Sequence, residues 1–208
     1  MIGQVSETGV TVSASGTASA APDRAVLRLA AETSAPSVQV AMEQATAAIE
    51  VMRSALLEAG VEASALRSTE ASVYRDHDRG ARGFIARFGL SATVNDVTSA
   101  GAAAQAALAA GADSARLEGL SYAHSDPAAL NATAREIAFA NAGTKAEQLA
   151  GLAGRALGAV EEITERDGAG GGPIVPVRMI AAEAAAPMSF DAGEQEVSVA
   201  VTVRWAWA

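Results

Sequence analysis

The run from Val197 to Trp207 constrains the fold most tightly. Val197, Val199, Val201, Val203, Trp205 and Trp207 alternate with Ser198, Ala200, Thr202, Arg204 and Ala206. This period of two puts all the large apolar side chains on one face of a β-strand. A helix would scatter the same residues around its axis. The chain therefore closes on a strand with one strongly apolar face that another element has to cover.

The same period opens the chain with smaller residues. Val10, Val12, Ala14, Gly16 and Ala18 alternate with Thr11, Ser13, Ser15, Thr17 and Ser19 until Pro22 and Asp23 break the pattern. A second run has Ala25, Leu27, Leu29 and Ala31 on one side and Arg24, Arg28 and Glu32 mostly on the other. These two runs are expected to pair. Ser34 is the expected N-cap of a helix with Pro36 near its first position, running to Ala59 and stopping at Gly60. Ser68 to Tyr74 and Phe84 to Val94 are expected as hairpin arms around a polar tip, with Phe84, Ala86, Phe88, Leu90, Ala92 and Val94 on one face. Asp96 or Ser99 should cap a short alanine-rich helix ending at Gly111, and a strand from Arg116 to Ala123 should follow. Pro127 then starts a long helix; unbroken to Leu157 it would measure about 46 Å. A strand near Val160 to Arg166, a flexible loop at 167–173 and an extended segment from Ile174 to Ala182 complete the pattern. The stretches at 57–66 and 108–117 echo each other as helix end, glycine stop and strand start.

The long helix is built from small residues. Ala138, Ala142, Ala146, Leu149, Ala153 and Leu157 share one stripe on a 3.6-residue wheel, while Asn141, Lys145, Gln148 and Arg155 lie on another. Alanine has the best helix propensity and lets a helix backbone lie close to its neighbour. No histidine and no carboxylate pair sits on that stripe, so it reads as a packing surface.

Composition removes several function classes. The 208 residues suit one large domain or two small ones, enough to bury roughly 70% of the extended-chain surface. The chain contains no cysteine, which excludes disulfides, thiolate nucleophiles and cysteine-ligated metals. A formal charge of −9 with scattered basic residues argues against a nucleic-acid partner. No window reaches about eighteen apolar residues, so no transmembrane helix is expected. The stretch MIGQVSETGV shows no signal peptide, and a chain complete as it stands would be cytoplasmic.

Several pieces in order carry a family resemblance: VSASGTASAAPDRA at 12–25, RST at 67–69, GFIA at 83–86, AAGADSARLEGLSY at 109–122, AFANAGTKAEQLAGLAGRALG at 138–158 and GEQEVSVAVTVRW at 193–205. Together they resemble bacterial SIMPL-domain proteins, a family of unknown function. The resemblance implies an α+β fold, mainly antiparallel sheet with long helices packed on it, over residues 10–208, with 1–9 as a disordered or extended lead. It further implies periplasmic or envelope localisation, homo-oligomers and a link to stress responses. It implies no catalytic residues, no cofactor and no metal.

The remaining polar clusters are weighed individually. His77 between Asp76 and Asp78 resembles a ligand set only by composition, since sequence neighbours do not readily converge on one ion; a solvated hairpin tip is expected. His124, Ser125 and Asp126 bring triad residue types together without a nucleophile elbow, so a capping or surface role is expected. The glycines of 168–173 lack the lysine and hydroxyl of a phosphate loop. Asn131 and Thr133 match a glycosylation sequon inside a helix, and no function is assigned to them. Glu161, Glu162 and Glu165 read as a solvated edge. The expected role is a non-enzymatic, self-assembling structural or interaction protein, with Trp207 and the last strand helping to build the contact. The alternative is a small-ligand module whose pocket, between helices and sheet, is lined by Tyr74, Phe84, Phe88 and Tyr122.

Overall fold

The computed structural model describes residues 9–76, 83–166 and 192–208. In chain order the elements are β1 (Gly9–Ala20), β2 (Arg24–Ala35), α1 (Val38–Glu58), β3 (Leu66–Asp76), β4 (Gly83–Val94), α2 (Ala100–Gly111), β5 (Ala115–Ala123), α3 (Pro127–Leu152), β6 (Leu157–Arg166) and β7 (Gln195–Trp207). Every strand pairing is antiparallel, in two sheets ordered β1-β7-β6 and β3-β4-β2-β5. The fold is thus α+β with helices packed on antiparallel sheet, as expected. The elements group into two compact units, one of β1, α3, β6 and β7, the other of β2 to β5 with α1 and α2. Residues 1–8 of the lead expected at 1–9, and the segments expected at 167–173 and 174–182, lie outside the described residues, while Gly9 already begins β1.

β1 and β2 do not pair, contrary to the sequence expectation: β1 takes β7 as its partner and β2 takes β4 and β5. The break at Pro22 and Asp23 is a passage between sheets and not a hairpin turn. In the first unit the two terminal alternations meet in register. Val12 lies opposite Val203, Ala14 opposite Val201, Gly16 opposite Val199 and Ala18 opposite Val197. Small residues on β1 thereby face large ones on β7, and α3 lies across both strands.

The approach of α3 is closest at Gly16, where a β-carbon would overlap the Ala134 carbonyl oxygen and the Ala138 nitrogen of the helix backbone. Asn141 Nδ2 donates to the Ser15 carbonyl at 2.9 Å and Lys145 Nζ to the Ser13 carbonyl at 3.5 Å. Both carbonyls belong to β1, an edge strand that pairs only with β7 among the described residues. Helix side chains therefore occupy acceptors that an edge strand would otherwise present to another chain.

α3 stops at Leu152, so it is about 39 Å long at 1.5 Å per residue and falls short of the expected Leu157. Gly154 has φ +65, the Gly154 amide donates to Gly151 O at 3.1 Å and the Arg155 amide to Ala150 O at 2.9 Å. This pair of bonds is a Schellman ending, for which the left-handed glycine is required. The buried stripe is Ala134, Ala138, Ala142, Ala146 and Ala150; Leu149 and Ala153 are exposed and Leu157 belongs to β6. Enlarging Ala146, fully buried, to leucine is expected to cost about 1–3 kcal/mol by overpacking. Gln148→Leu, on an exposed position, should change stability by less than about 0.5 kcal/mol. Urea denaturation of both variants checks the assignment of the face.

In the second unit β2 is central. Ala25, Leu27, Leu29 and Ala31 point with Leu90, Ala92 and Val94 of β4 into a core closed by Ile49, Met52 and Leu56 of α1 and by the alanines of α2. The α1 N-cap is Ser37, whose Oγ accepts from the Val40 amide at 3.3 Å. Ser34 is not the cap because β2 continues to Ala35, with Ser34 opposite Ile85. Strand pairing won over a local capping signal. Asp96 rather than Ser99 makes the side-chain cap, accepting from the Thr98 amide at 2.9 Å; it caps a single 3-10 turn ahead of α2.

The echo at 57–66 and 108–117 is structural: each is a helix end, a 3-10 turn and a strand start. The left-handed residue is Gly60 in the first, with φ +88, but Ala112 in the second, with φ 45. Gly111 serves a different need, since a β-carbon there would meet Met52 Cγ at 2.7 Å.

Candidate functional site

His124, Ser125 and Asp126 follow β5 in sequence, yet their side chains go to separate partners. The Ser125 amide donates to Asp23 Oδ1 at 2.7 Å and the Ser125 hydroxyl donates to Asp23 Oδ2. Asp126 Oδ1 accepts from the Ala129 amide at 3.0 Å as the N-cap of α3. His124 Nε2 is buried with no hydrogen-bond partner among the described residues. A nucleophile, a base and an orienting acid would have to bond in series; here only Asp126 takes the expected capping role, while Ser125 bonds to Asp23. The Ser125 hydroxyl, chiefly, holds the Asp23 carboxyl below its ordinary range; desolvation opposes this, and the Ser125 amide and Arg24 add to it. The partnership of Asp23 and Ser125 was not visible in the sequence, because nothing local couples residues 102 positions apart.

The other candidates also resolve into structural roles. Asn131 Nδ2 donates to Pro127 O at 2.8 Å and Thr133 Oγ1 to Ala129 O at 3.2 Å, both back onto the helix that carries them. Two of the three β6 carboxylates hold arginines: Glu161 meets Arg204 at 3.0 Å, and Glu165 accepts from Arg135 Nε at 2.6 Å and Nη2 at 2.9 Å. This fork lowers the Glu165 pKa and raises that of Arg135, in both cases mainly through the hydrogen bond. Asp76 ends β3; His77 and Asp78 lie outside the described residues. Among the described residues no three histidine or carboxylate side chains cluster in a way that could hold a metal ion, and no helix is long and apolar enough to cross a membrane.

The four aromatic residues do not line a common cavity. Phe84 and Phe88 pack on Ala35, Ala41, Ala45 and Ala86, and Tyr122 packs against the main core. Tyr74 is opposite Ile85, on the other face of the sheet from Phe84 and Phe88, and is 47% exposed. The Arg75 guanidinium lies 5.3 Å from the Phe84 ring centre. An open apolar groove of about 710 Å³ runs instead along α1, lined by Val38, Met42 and Thr46 with Glu43 and Glu50.

On the sheet face opposite the main core, Arg87 is ringed by carboxylates. It meets Glu32 at 3.2 Å, Glu70 at 3.6 Å and also Glu118, while Arg116 meets Glu32 at 3.7 Å. Sequence reading missed this network. Its only trace was the polar side of the β4 alternation, which carries no information about cross-strand neighbours.

The surface with the least structural explanation lies in the first unit. Val160 is opposite Trp205 and Ile163 opposite Val203 across an irregularity at Glu161. Trp205 and Val203 are buried beneath α3, so Val160 and Ile163 point to the helix side of the sheet as well. α3 covers β1 and β7 but barely reaches β6. Val160 is consequently 41% exposed and Ile163 55%. Phe139, with its ring centre 6.3 Å from that of Trp205, borders the same strip, and the Cβ position of Gly143 faces open space. β6 is an edge strand, paired only with β7 among the described residues.

The sequence model of a family described as SIMPL, protein of unknown function, matches residues 10–205. No curated protein matches the chain.

Proposed function

Because the chain belongs to the SIMPL family, we propose that it is a non-enzymatic structural and interaction protein of the cell envelope that assembles with copies of itself. The envelope setting and the link to stress responses rest on the family resemblance. The observation that favours assembly is the edge strand β6, which among the described residues pairs only with β7 and is held by α3 through the Arg135–Glu165 fork, leaving Val160 and Ile163 exposed beside it. Exposed apolar residues on an edge strand are a pairing surface that solitary proteins normally blunt. The expected contribution of the last strand changes accordingly. β7 is the middle strand and its apolar face is spent on α3, while Trp207 is partly buried opposite Leu157 with Arg155 5.7 Å from its ring centre. β6 is the better contact.

Light scattering coupled to size exclusion tests this reading at tens of micromolar protein. The intact chain should run as a defined oligomer and Ile163→Lys should shift it toward the 20.8 kDa monomer. A monodisperse monomer for the intact chain overturns the assembly; an unchanged oligomer in the variant removes β6 from the contact. A small-ligand module remains the second reading, favoured by the apolar groove along α1. Ligand-induced thermal stabilisation that Met42→Glu abolishes is its expected signature.

A further inference from the structure

Within the second unit, β2 outruns its neighbour on one side. It pairs with β4 from Ala25 to Ala35 but with β5 only from Arg24 to Ala31. Over residues 32–35 the side of β2 that looks along the line of β5 therefore has no strand partner among the described residues. β5 does not start earlier because the chain leaves α2 through a 3-10 turn at Ala112–Ser114, with Ala112 at φ 45, a conformation that residues other than glycine rarely take. Beside the open stretch lies a recess of about 540 Å³, lined by residues 32–34 of β2, by Gln44 and Ala47 of α1 and by Asp113 and Ser114 of the turn. This lining puts the recess where a longer β5 would run.

We propose that the recess takes a short, extended, basic peptide segment of a partner protein, which pairs with β2 as a continuation of β5. An open strand edge presents amide and carbonyl groups at the regular spacing of a ladder, and another extended backbone is the ligand that matches both. The segment is short because β2 ends at Ala35 and Pro36, which follows, has no N–H to carry the ladder further. Its charge follows from what the recess leaves uncompensated. Arg116 at the margin is turned onto its own chain: Nη1 donates to the Asp113 and Ala115 carbonyls at 2.7 and 2.9 Å, and Nη2 lies 3.7 Å from Glu32. Glu32 also has Arg87 at 3.2 Å. The exposed Asp113 carboxylate has no ion pair among the described residues, so a lysine or arginine of the segment is its complement. A chain of formal charge −9 also attracts a basic partner from a distance. The inference is independent of self-assembly, whose contact is placed at β6.

The test is an NMR titration of the isotope-labelled full chain with the peptide acetyl-Thr-Lys-Thr-Lys-Thr-amide. Its β-branched residues favour an extended backbone, and its capped ends carry no charge. Amide shifts are expected at residues 32–35 and at Asp113 and Ser114. The same peptide with alternate backbone amides methylated cannot pair as a strand and should leave those amides unshifted. Asp113→Asn, at an exposed position, should weaken binding about threefold, the size of a solvent-exposed charge pair. Shifts confined to β6 or to the apolar groove along α1 overturn the proposal, as does equal binding by the methylated peptide or the absence of any shift. An unchanged affinity in Asp113→Asn overturns the choice of a basic segment.

Discussion

Replacing Trp205 by alanine is expected to destabilise the first unit by about 3–5 kcal/mol, the usual cost of truncating a buried large aromatic. Trp205 is 5% exposed and packs with Val12, Val203 and the α3 alanines. Those alanines have no side-chain length with which to refill the space, so the cavity should persist. Phe139, tilted at 39° to the Trp205 ring, would lose its main aromatic neighbour as well. Trp207 provides the internal contrast. It lies two residues further along the same face but is only partly buried, so Trp207→Ala should cost about 1 kcal/mol. Chemical denaturation followed by circular dichroism checks both values; equal losses would mean that the burial of the two rings has been misjudged.

The second large effect is expected at Gly16. Gly16→Val should cost at least about 3 kcal/mol, at or beyond the upper end of ordinary overpacking. The obstruction is the α3 backbone itself, at Ala134 and Ala138, and a backbone cannot turn aside as a side chain can. Relief requires the helix to lift from β1, which would weaken the contacts of the neighbouring alanines and the Asn141 bond to Ser15. Gly143 supplies the control. It sits within α3 with nothing within 4 Å of its Cβ position, so Gly143→Ala should stabilise by about 0.5–1 kcal/mol through helix propensity alone. A mild effect at Gly16 would mean that helix and strand do not touch as described.

Both expectations come from a packing surface that was partly legible in advance. The alternation of Val10 to Ala18 and of Val197 to Trp207 identified both strands and their buried faces, because a period of two admits one assignment. The alanine stripe identified α3 as a packing helix. The helix ends at Leu152, short of Leu157, because the left-handed Gly154 and the Schellman bonds around it close it. Helix α1 is capped by Ser37 and not by the expected Ser34, because Ser34 is held in the pairing of β2 with β4.

The candidate surfaces were far less legible. Val160 and Ile163 read as ordinary strand residues, and their exposure follows only from where α3 stops covering the sheet. Arg87 with its carboxylates, and Asp23 with Ser125, are meetings of residues distant in sequence whose local context is unremarkable. Periodicity, capping residues and glycine stops act over one or two turns of chain, so the sequence by itself determined which segments become strands and helices and which faces the strands bury, but on α3 only the Ala138, Ala142 and Ala146 part of the stripe, since Leu149 and Ala153 are exposed. The tertiary structure alone decided that the two amino-terminal strands part into different sheets, that β7 lies between β1 and β6, and that Val160 and Ile163 of β6 stay exposed. Those outcomes depend on competition among several strands of similar pattern, and the winning partners are chosen by how small faces fit large ones across the whole unit.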